Sequence, residues 1–327
     1  MVYGEYIQKP AVELTQLLAN HLPKNLEKTY LANSGTEAVE GAIKLAKRAT
    51  GRSQIIAAKN AYHGSTIGAM SVMGFEDRKR AFRPLLPDVY FIPFNDLNEL
   101  NKITPKTACV ILETIQGGAG FIEPINGYLQ KVQERCKAVG ALFILDEIQT
   151  GIGRTGKLFG FENYNCSPDI LISGKGLGGG MPIGAFTTSG ELMDLLQDHP
   201  KLGHITTFGG HPLPCASSAA ALSLLKKIDF PAMEERAGNF QSRMMAHALV
   251  QDVRRIGAYI AVELKDAASV AFCVDHALKS GLLIYYFLST PNAFRVAPPL
   301  TMDSDTWLKA TELMCQTLDA CASIEPT

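Results

Sequence analysis

The chain has 327 residues, of which 46% are hydrophobic and 19% charged, a composition typical of a folded globular protein rather than a disordered one. At about 150 residues per domain the length predicts about two domains, and a chain of this size buries a core without the help of disulfide bonds. The formal charge of −1 argues against a general nucleic-acid or membrane-surface binder, because such proteins carry an excess of basic residues.

The sequence gives no indication of export or membrane insertion. No uninterrupted apolar run approaches the roughly 20 residues that a membrane span requires, and the N-terminal sequence MVYGEYIQKPAVEL lacks the basic segment and apolar run of a signal peptide. The seven cysteines are scattered and form no CxxC pair, so neither a disulfide framework nor a zinc ribbon is predicted. We therefore expect a reducing, cytoplasmic location, with no membrane or nucleic-acid partner.

Helical and strand patterns alternate through the first two thirds of the sequence. AVELTQLLANHL has apolar residues at helical spacing, TYLANSG is a short strand-like run, and TEAVEGAIKLAKRATG predicts an amphipathic helix that ends at Gly51. A further helix is predicted for YLQKVQERCKAVG. The remaining apolar strands open the runs SQIIAAKNAYHG, DVYFIPF, ACVILETIQ, ALFILDEIQ and PDILISGKG. Apolar strands that alternate with helices predict an α/β fold, with a mostly parallel sheet and helices on both faces.

The last third of the sequence has a different character. HPLPCASSAAALSLLKKID predicts a long helix that leaves the sheet. The elements predicted after it are VRRIGAYIAVELKD, a helix around VAFCVDHALKSG, the strand LLIYYFL, the run AFRVAPPLT and the closing helix DTWLKATELMCQTLDACAS. We therefore expect a large domain over residues 1–220 and a smaller α+β domain over residues 221–327.

The string GIGRTGK resembles two nucleotide-binding motifs and satisfies neither. A P-loop requires Ser or Thr after its lysine to hold magnesium, and this chain has Leu158 there. The dinucleotide fingerprint opens a helix directly after its strand, whereas residues 147–150 intervene here. The histidines show no HExxH or paired spacing, and no G-x-S-x-G elbow occurs, so neither a metal site nor an acyl-transfer serine is predicted.

Polar residues and glycines fall where predicted strands end, which is where ligands bind in parallel sheets. The Ser34-Gly35-Thr36 segment lies between a strand and a helix, so it offers a helix N-terminus to an anion. Asp146 ends the apolar strand ALFIL, and Lys175 lies between two glycines after DILIS. Tyr62, in a Tyr-His-Gly run after another strand, is available to stack on a ligand ring.

These parts are the ones that a pyridoxal phosphate site requires. Such a site needs a lysine for the Schiff base, a carboxylate at the pyridine nitrogen, donors for the phosphate and an aromatic ring on the cofactor. Each residue alone also has an ordinary structural interpretation: Ser34 as a helix N-cap, Asp146 as a strand-end cap and Lys175 as a solvated loop lysine. It is the ordered set that favours a cofactor site.

The sequence resembles the class III (fold type I) pyridoxal-phosphate-dependent aminotransferases, and within them the ornithine and acetylornithine aminotransferase branch. The resemblance covers essentially the whole chain in order and implies the PLP-transferase type of α/β fold. The matching segments are NSGTEAVEGAIKLAKRATG, AYHGST, ILETIQGGAG, ILDEIQTGIGRTGKLFGFENYNCSPDILISGKGLGGGMPIGAF, HITTFGGHP and FRVAPPLT.

The resemblance implies a role for each matching residue. Lys175 would form the Schiff base and shuttle the proton, and Asp146 would pair with the pyridine nitrogen. Arg295 would bind the substrate's α-carboxylate. Thr207 would reach the phosphate of the partner subunit's cofactor, which implies a homodimer with its sites at the interface. The other implied positions are Ser34, Gly35 and Thr36 at the phosphate, Tyr62 and Ile148 on opposite faces of the ring, Gln149 near its phenolic oxygen, and the neighbours His63 and Glu113.

Three departures from the family pattern bear on substrate choice. Members usually have an N-terminal segment ahead of the part that matches MVYGEYIQKP, which helps to close the substrate site, and we expect it to be missing here through truncation, an internal start or omission. Ornithine-type members often carry arginine where this chain has Ser65 and glutamate where it has Gly118. Both replacements predict a roomier and less selective substrate pocket.

The implied reaction is a ping-pong transfer of an amino group from an ω-amino compound of ornithine or N-acetylornithine type. A 2-oxo acid such as 2-oxoglutarate would accept the group. The alternatives are 4-aminobutyrate, a diamine or another ω-amino acid as donor, and an aminomutase on the same fold. A non-catalytic homologue is a further alternative, against which the intact set of cofactor-binding residues argues.

Overall fold

The computed structural model describes residues 2–323, which fall into two units. Within the described chain, the first unit draws on Met1–Ile115, Glu123–Ile152 and Leu158–Lys227, and the second on Gln116–Ile122, Gly153–Lys157 and Ile228–Thr327. Each unit therefore combines three stretches of sequence. The division into continuous domains 1–220 and 221–327 stays a prediction.

Helices and strands alternate along the described residues. The α-helices are α1 (Lys9–His21), α2 (Gly35–Thr50), α3 (Ile67–Ser71), α4 (Tyr128–Val139), α5 (Gly190–Asp194), α6 (Pro212–Leu225), α7 (Phe230–Met245), α8 (Ala267–Lys279) and α9 (Ser304–Ala322). The strands are β1 (Lys28–Ala32), β2 (Gln54–Ala58), β3 (Val89–Ile92), β4 (Thr107–Glu113), β5 (Leu142–Asp146), β6 (Ile170–Gly174), β7 (Gly184–Thr188), β8 (Val250–Ile256), β9 (Tyr259–Leu264), β10 (Tyr285–Tyr286) and β11 (Ala293–Val296). Short 3₁₀ helices occur at Tyr3–Glu5, Arg80–Phe82, Leu97–Lys102, Gly160–Tyr164 and Lys175–Gly178.

The first unit is built on a seven-stranded sheet with the strand order β1-β7-β6-β5-β4-β2-β3. Strand β7 runs antiparallel to both of its neighbours, and every other adjacent pair is parallel. The carboxyl ends of β2, β4, β5 and β6 therefore meet at one edge of the sheet. The prediction of an α/β fold with a mostly parallel sheet is confirmed.

The sheet of the first unit is covered on both faces, because successive side chains of a strand point in opposite directions. On β4, Val110 and Leu112 belong to a core cluster shared with α1, α4 and α6, whereas Cys109 and Ile111 belong to a second cluster with α2 and α5. All four side chains are fully buried. Burial on both faces explains why this strand is a continuous apolar run rather than an alternating pattern.

Helix α2 connects the sheet to the candidate site, and both of its ends are capped. Ser34 is the N-cap, and its side chain accepts a hydrogen bond from the Glu37 N–H at 3.3 Å. At the other end Gly51 adopts a left-handed conformation, with φ of 66°, and its N–H donates to the Lys47 carbonyl. A glycine accepts this conformation without a steric penalty. The helix therefore begins directly after β1, with its N-terminus beside the carboxyl edge of the sheet.

The second unit contains a four-stranded antiparallel sheet with the order β10-β11-β9-β8. Its core includes Val262 of β9, Phe294 of β11, Phe240 of α7, Cys273 of α8 and Leu318 of α9. Three helices thus pack with one small sheet, which is the α+β character predicted for the end of the chain.

The sequence patterns miss several elements and overextend one. They do not predict β7, a short run with a glycine at its start, or helix α7. In α7 the buried residues Met233, Ala237, Phe240 and Met244 recur at helical spacing, so the signal was present in the sequence. The predicted strand LLIYYFL forms only at Tyr285–Tyr286, on the edge of the second sheet, where short strands are common.

Residues 2–323 include no helix with both the length and the hydrophobicity that a membrane span requires. No group of three or more His, Cys, Asp or Glu side chains in the same residues is arranged to hold a metal ion. Each of the seven cysteines carries a free thiol.

Candidate active site

A cavity of about 270 Å³ opens at the carboxyl ends of β2, β4, β5 and β6, beside the N-terminus of α2. It is formed entirely within the first unit. Its lining includes nine of the residues singled out from the sequence, namely Gly35, Thr36, Tyr62, His63, Glu113, Asp146, Ile148, Gln149 and Lys175. The remaining lining residues are Gly64, Ser65, Ile115 and Thr150.

The N-terminus of α2 presents backbone N–H groups on one side of the cavity. The first N–H groups of a helix have no acceptor within it, and the partial positive charge there attracts anions. A Cβ on Gly35 would lie 2.6 Å from Ile148 Cδ1, so a larger residue here would displace the Ile148 side chain. The Thr36 hydroxyl lies 2.7 Å from the Thr66 hydroxyl and accepts from the Thr66 N–H at 3.3 Å. The loop after β2 is thereby fixed against the helix terminus.

Asp146 forms a buried pair with His63. The Asp146 Oδ2 atom lies 2.8 Å from His63 Nδ1, and its Oδ1 atom accepts from the Ile148 N–H at 2.9 Å. Burial lowers the pKa of His63, but the hydrogen bond and charge of Asp146 and the charge of Glu113 outweigh it, so that the pKa is raised. The His63 Nε2 atom is buried and has no hydrogen-bond partner within residues 2–323. Asp146 is thus an oriented, buried carboxylate beside an imidazole that favours protonation.

Glu113 and Tyr62 connect the ends of two strands. Glu113 ends β4, directly opposite Asp146 in the register with β5, and its Oε2 atom accepts from the Tyr62 N–H at 3.2 Å. The Tyr62 hydroxyl lies 3.0 Å from the Ser65 hydroxyl. Ser65 therefore lines the cavity and holds the phenol ring of Tyr62 in a defined orientation.

Lys175 follows β6 directly and adopts an unusual backbone conformation. Its φ is +44°, a left-handed value that costs a non-glycine residue about 1–2 kcal/mol. Gly174 and Gly176 flank it, and its own side chain is exposed to the cavity. Strained backbone at a cavity-lining lysine is typical of functional positions.

Glu147 is the main site-supporting residue that the sequence patterns miss. Its carboxylate is fully buried and accepts four hydrogen bonds: from the Thr114 and Thr150 hydroxyls at 2.6 and 2.5 Å, and from the Gly160 and Phe161 N–H groups at 2.8 and 2.7 Å. Burial raises the pKa of Glu147, and the four hydrogen bonds oppose this increase. The side chain joins the loops after β4 and β5 to the 3₁₀ helix Gly160–Tyr164.

Glu147→Ala is expected to destabilise the protein by about 3–5 kcal/mol, because it leaves four buried donors without an acceptor. Chemical unfolding measures this change. Glu162→Ala provides the matched control in the same loop, since the exposed Glu162 accepts one hydrogen bond from the Phe159 N–H; its loss is expected to cost about 1 kcal/mol or less. Equal effects of the two substitutions would contradict the role given to Glu147.

Three further residues singled out from the sequence, Ser34, Thr207 and Arg295, lie outside the cavity lining. Ser34 serves as the N-cap of α2. Thr207 lies in the loop between α5 and α6, where its carbonyl accepts from the Tyr3 N–H at 3.1 Å, and its side chain is exposed. Arg295 belongs to β11 in the second unit, with its guanidinium carbon 5.5 Å from the centre of the Tyr285 ring.

The sequence and the fold both match known aminotransferases. Residues 1–318 match the family model of the class-III aminotransferases. The chain is 37% identical to the acetylornithine aminotransferase of Methanopyrus kandleri over 318 residues, which cover 96% of this chain and 80% of that protein. The chain therefore belongs to the class-III aminotransferase family, whose members are pyridoxal-phosphate-dependent enzymes.

Solved structures give the same result for the fold. An ornithine aminotransferase from Toxoplasma gondii, with pyridoxal phosphate at partial occupancy in its active site, superposes with a TM-score of 0.89 at 28% identity. The alignment covers 98% of this chain and 79% of that one. A transaminase from the marine bacterium Virgibacillus shares the fold with a TM-score of 0.89 at 24% identity, over 98% of this chain and 81% of that one.

Proposed function

We propose that this protein binds pyridoxal 5'-phosphate in the cavity at the carboxyl edge of its large sheet. With it, the protein moves the amino group of an ω-amino compound, of ornithine or N-acetylornithine type, to a 2-oxo acid such as 2-oxoglutarate. The observation that carries this proposal is that Lys175, the Asp146–His63 pair and the N-terminus of α2 all line one cavity. Their chemistry complements an aldehyde, a pyridine nitrogen and a phosphate, respectively.

The donor set fits the cofactor at each of its ends. Backbone N–H groups at Gly35 and Thr36, together with the Thr36 hydroxyl, suit a phosphate. The Asp146 carboxylate is 4% exposed, so its charge acts in a medium of low dielectric constant on any cation that it meets. Tyr62 and Ile148 supply an aromatic and an aliphatic surface in the same cavity. Gly64 and Gly35 leave space where side chains would meet Thr36 and Ile148.

When bound, pyridoxal phosphate supplies an electron-withdrawing ring that stabilises negative charge on the substrate carbon bearing the amino group. Lys175 then acts as the acid and base that moves a proton to and from that carbon. The Asp146 carboxylate would stabilise positive charge on the pyridine nitrogen, and His63 orients that carboxylate through the 2.8 Å contact. Glu113 and Gln149 line the same cavity and would lie near the substrate and the ring oxygen.

The substrate class rests on the relatives and on Arg295. The names of two relatives state acetylornithine and ornithine as substrates. We propose that Arg295 binds the α-carboxylate, because a guanidinium holds a carboxylate through two parallel hydrogen bonds. Ornithine-type members often carry an arginine at the position of Ser65, which offers only a neutral hydroxyl. They often carry a glutamate at the position of Gly118, which has no side chain. We therefore expect the substrate pocket to accept several amino donors.

We further propose a cytoplasmic homodimer with its active sites at the subunit interface. Thr207 supports the dimer, because its side chain is exposed and its sequence TTFGG matches the family's cross-subunit phosphate contact. The scattered free thiols support a reducing compartment. The small-molecule partners are the amino donor and the 2-oxo acid acceptor.

A panel of amines tests the proposed reaction. The protein, loaded with pyridoxal phosphate, is mixed with ornithine, N-acetylornithine, 4-aminobutyrate or 1,4-diaminobutane, and kcat/KM is measured with 2-oxoglutarate as acceptor. We expect turnover with ornithine or N-acetylornithine, with detectable activity on a second donor. A single product isomer without transfer to the acceptor would indicate an aminomutase, and cofactor binding without any turnover would indicate a non-catalytic homologue.

A further inference from the structure

The string GIGRTGK, which resembles nucleotide-binding motifs, has a different place in the structure. Its middle part, Gly153–Lys157, belongs to the second unit, although the residues on either side belong to the first. No helix begins at this segment; the chain turns through it and enters the 3₁₀ helix Gly160–Tyr164. The interactions of Arg154, at the centre of the segment, indicate what it does.

Arg154 binds backbone carbonyls rather than a carboxylate. Its Nη1 atom donates to the Pro298 carbonyl at 2.7 Å and to the Ala258 carbonyl at 3.2 Å. Its own carbonyl accepts from the Ala258 N–H at 3.1 Å. Burial lowers the pKa of the guanidinium, which still remains charged because its ordinary value is so high. Three hydrogen bonds therefore fix this one residue to two neighbouring segments of the second unit.

The turn between β8 and β9 is shaped to receive the segment. Gly257 in that turn has φ of +55°, and a Cβ there would lie 2.6 Å from the carbonyl carbon of Thr155 and 2.7 Å from the Gly156 nitrogen. The two backbones thus pass too close for any side chain between them. The backbone packing at Gly257 and the hydrogen bonds of Arg154 both hold the segment Gly153–Lys157 against the turn between β8 and β9.

The two carbonyls that Arg154 binds lie at matching ends of adjacent strands. Strands β9 and β11 are antiparallel, with Val296 opposite Ile260 and Arg295 opposite Ala261. Pro298 follows β11, and Ala258 precedes β9. Arg154 therefore ties together the ends of the strand pair that carries Arg295, three residues from Pro298 along the chain.

The segment is also continuous with the lining of the cavity. Ile148 and Gln149 line it, and only residues 150–153 separate Gln149 from Arg154. We propose that Arg154 is a positioning residue for Arg295: by binding the carbonyls at the ends of β9 and β11, it fixes the strand that carries Arg295. This inference rests on the proposed function, in which Arg295 binds the α-carboxylate.

Ornithine and 1,4-diaminobutane form a matched pair of substrates that differ only by the α-carboxylate. Arg154→Met keeps the aliphatic bulk and removes both side-chain hydrogen bonds. We expect it to lower kcat/KM for ornithine on the order of 10–100-fold, mainly through KM, and to leave kcat/KM for the diamine nearly unchanged. Arg154→Lys, which keeps the charge and one carbonyl contact, should restore part of the ornithine preference.

Arg52 provides the matched control. Its Nη1 atom also binds only carbonyls, those of Thr107, Val139 and Gly140 at 2.9–3.0 Å, at the amino ends of the strands of the first unit. Arg52→Met is expected to lower the midpoint of thermal unfolding, as Arg154→Met does, without changing the ratio of ornithine to diamine activity.

The possible outcomes separate this inference from the proposed function. A native protein that transfers no amino group from any donor overturns both. If Arg295→Ala leaves the ornithine-to-diamine ratio unchanged, the carboxylate role of Arg295 is wrong and the inference fails with it. If Arg295→Ala lowers the ratio and Arg154→Met does not, or if Arg52→Met lowers it equally, the inference alone is wrong.

Discussion

Lys175→Ala is expected to lower the transamination rate by at least about 10³-fold, which is the upper part of the range contributed by a positioned acid or base. Lys175 is the only cavity-lining lysine within the described residues, so no other amine there replaces it. Borohydride treatment of the native protein with pyridoxal phosphate should attach the cofactor to Lys175, as peptide mass spectrometry would detect. The variant should lose both this label and the activity, and labelling of a different lysine would refute the assignment.

Lys175→Gly separates the chemical role from the backbone strain. At φ of +44° alanine retains the left-handed strain, whereas glycine removes it. The glycine variant should therefore be more stable than the alanine variant by about 1 kcal/mol, as measured by chemical unfolding, and equally inactive. Activity regained in the glycine variant would show that conformation, rather than the amine, limits the reaction.

The strands of the large sheet could be predicted because burial on both faces selects apolar runs such as ACVIL and ALFIL. The ends of α2 could also be predicted, because Ser34 and Gly51 are residue types that cap a helix. Strand β7 could not be predicted from the sequence, because its antiparallel course between β1 and β6 depends on long-range pairing. A two-residue edge strand such as Tyr285–Tyr286 likewise carries no local signal.

The site was predictable as a set of residue types and less so as a set of contacts. Strand ends gave the positions of Asp146 and Lys175, because parallel strands bring their carboxyl ends together. The partnership of His63 with Asp146 joins residues far apart in sequence, which no local pattern encodes. Glu147 follows Asp146 in the chain and resembles any charged loop residue until its four donors are known.

Asp146→Asn is expected to retain the fold and to lower the transamination rate by about 10²–10³-fold, the usual effect of removing one preorganised electrostatic contact. The amide keeps the shape of the side chain, and its oxygen can still accept from the Ile148 N–H, as Asp146 Oδ1 does at 2.9 Å. The negative charge is lost, so positive charge at this end of the cavity is no longer stabilised. Near-native turnover would exclude Asp146 from this role.

The pKa of the His63 imidazole measures the effect of Asp146→Asn in protein that carries no cofactor. Burial lowers its pKa, and only the hydrogen bond and charge of Asp146 and the charge of Glu113 raise it. In Asp146→Asn the raising contributions largely disappear, so the pKa of His63 should fall below that of the native protein. An NMR titration of the histidine signals, with His63 assigned from a His63→Phe variant, measures the change.

Asp169→Asn is the matched control for this titration, because Asp169 is a partly buried aspartate at an end of the same sheet. Its carboxylate accepts from the Phe143 N–H at 2.7 Å, and it precedes β6 at the opposite edge of the sheet from the cavity. The control should change stability and leave the His63 titration unaltered, since it removes charge far from the imidazole. If the two substitutions shift the pKa of His63 equally, the buried Asp146–His63 pair does not set the protonation of this site.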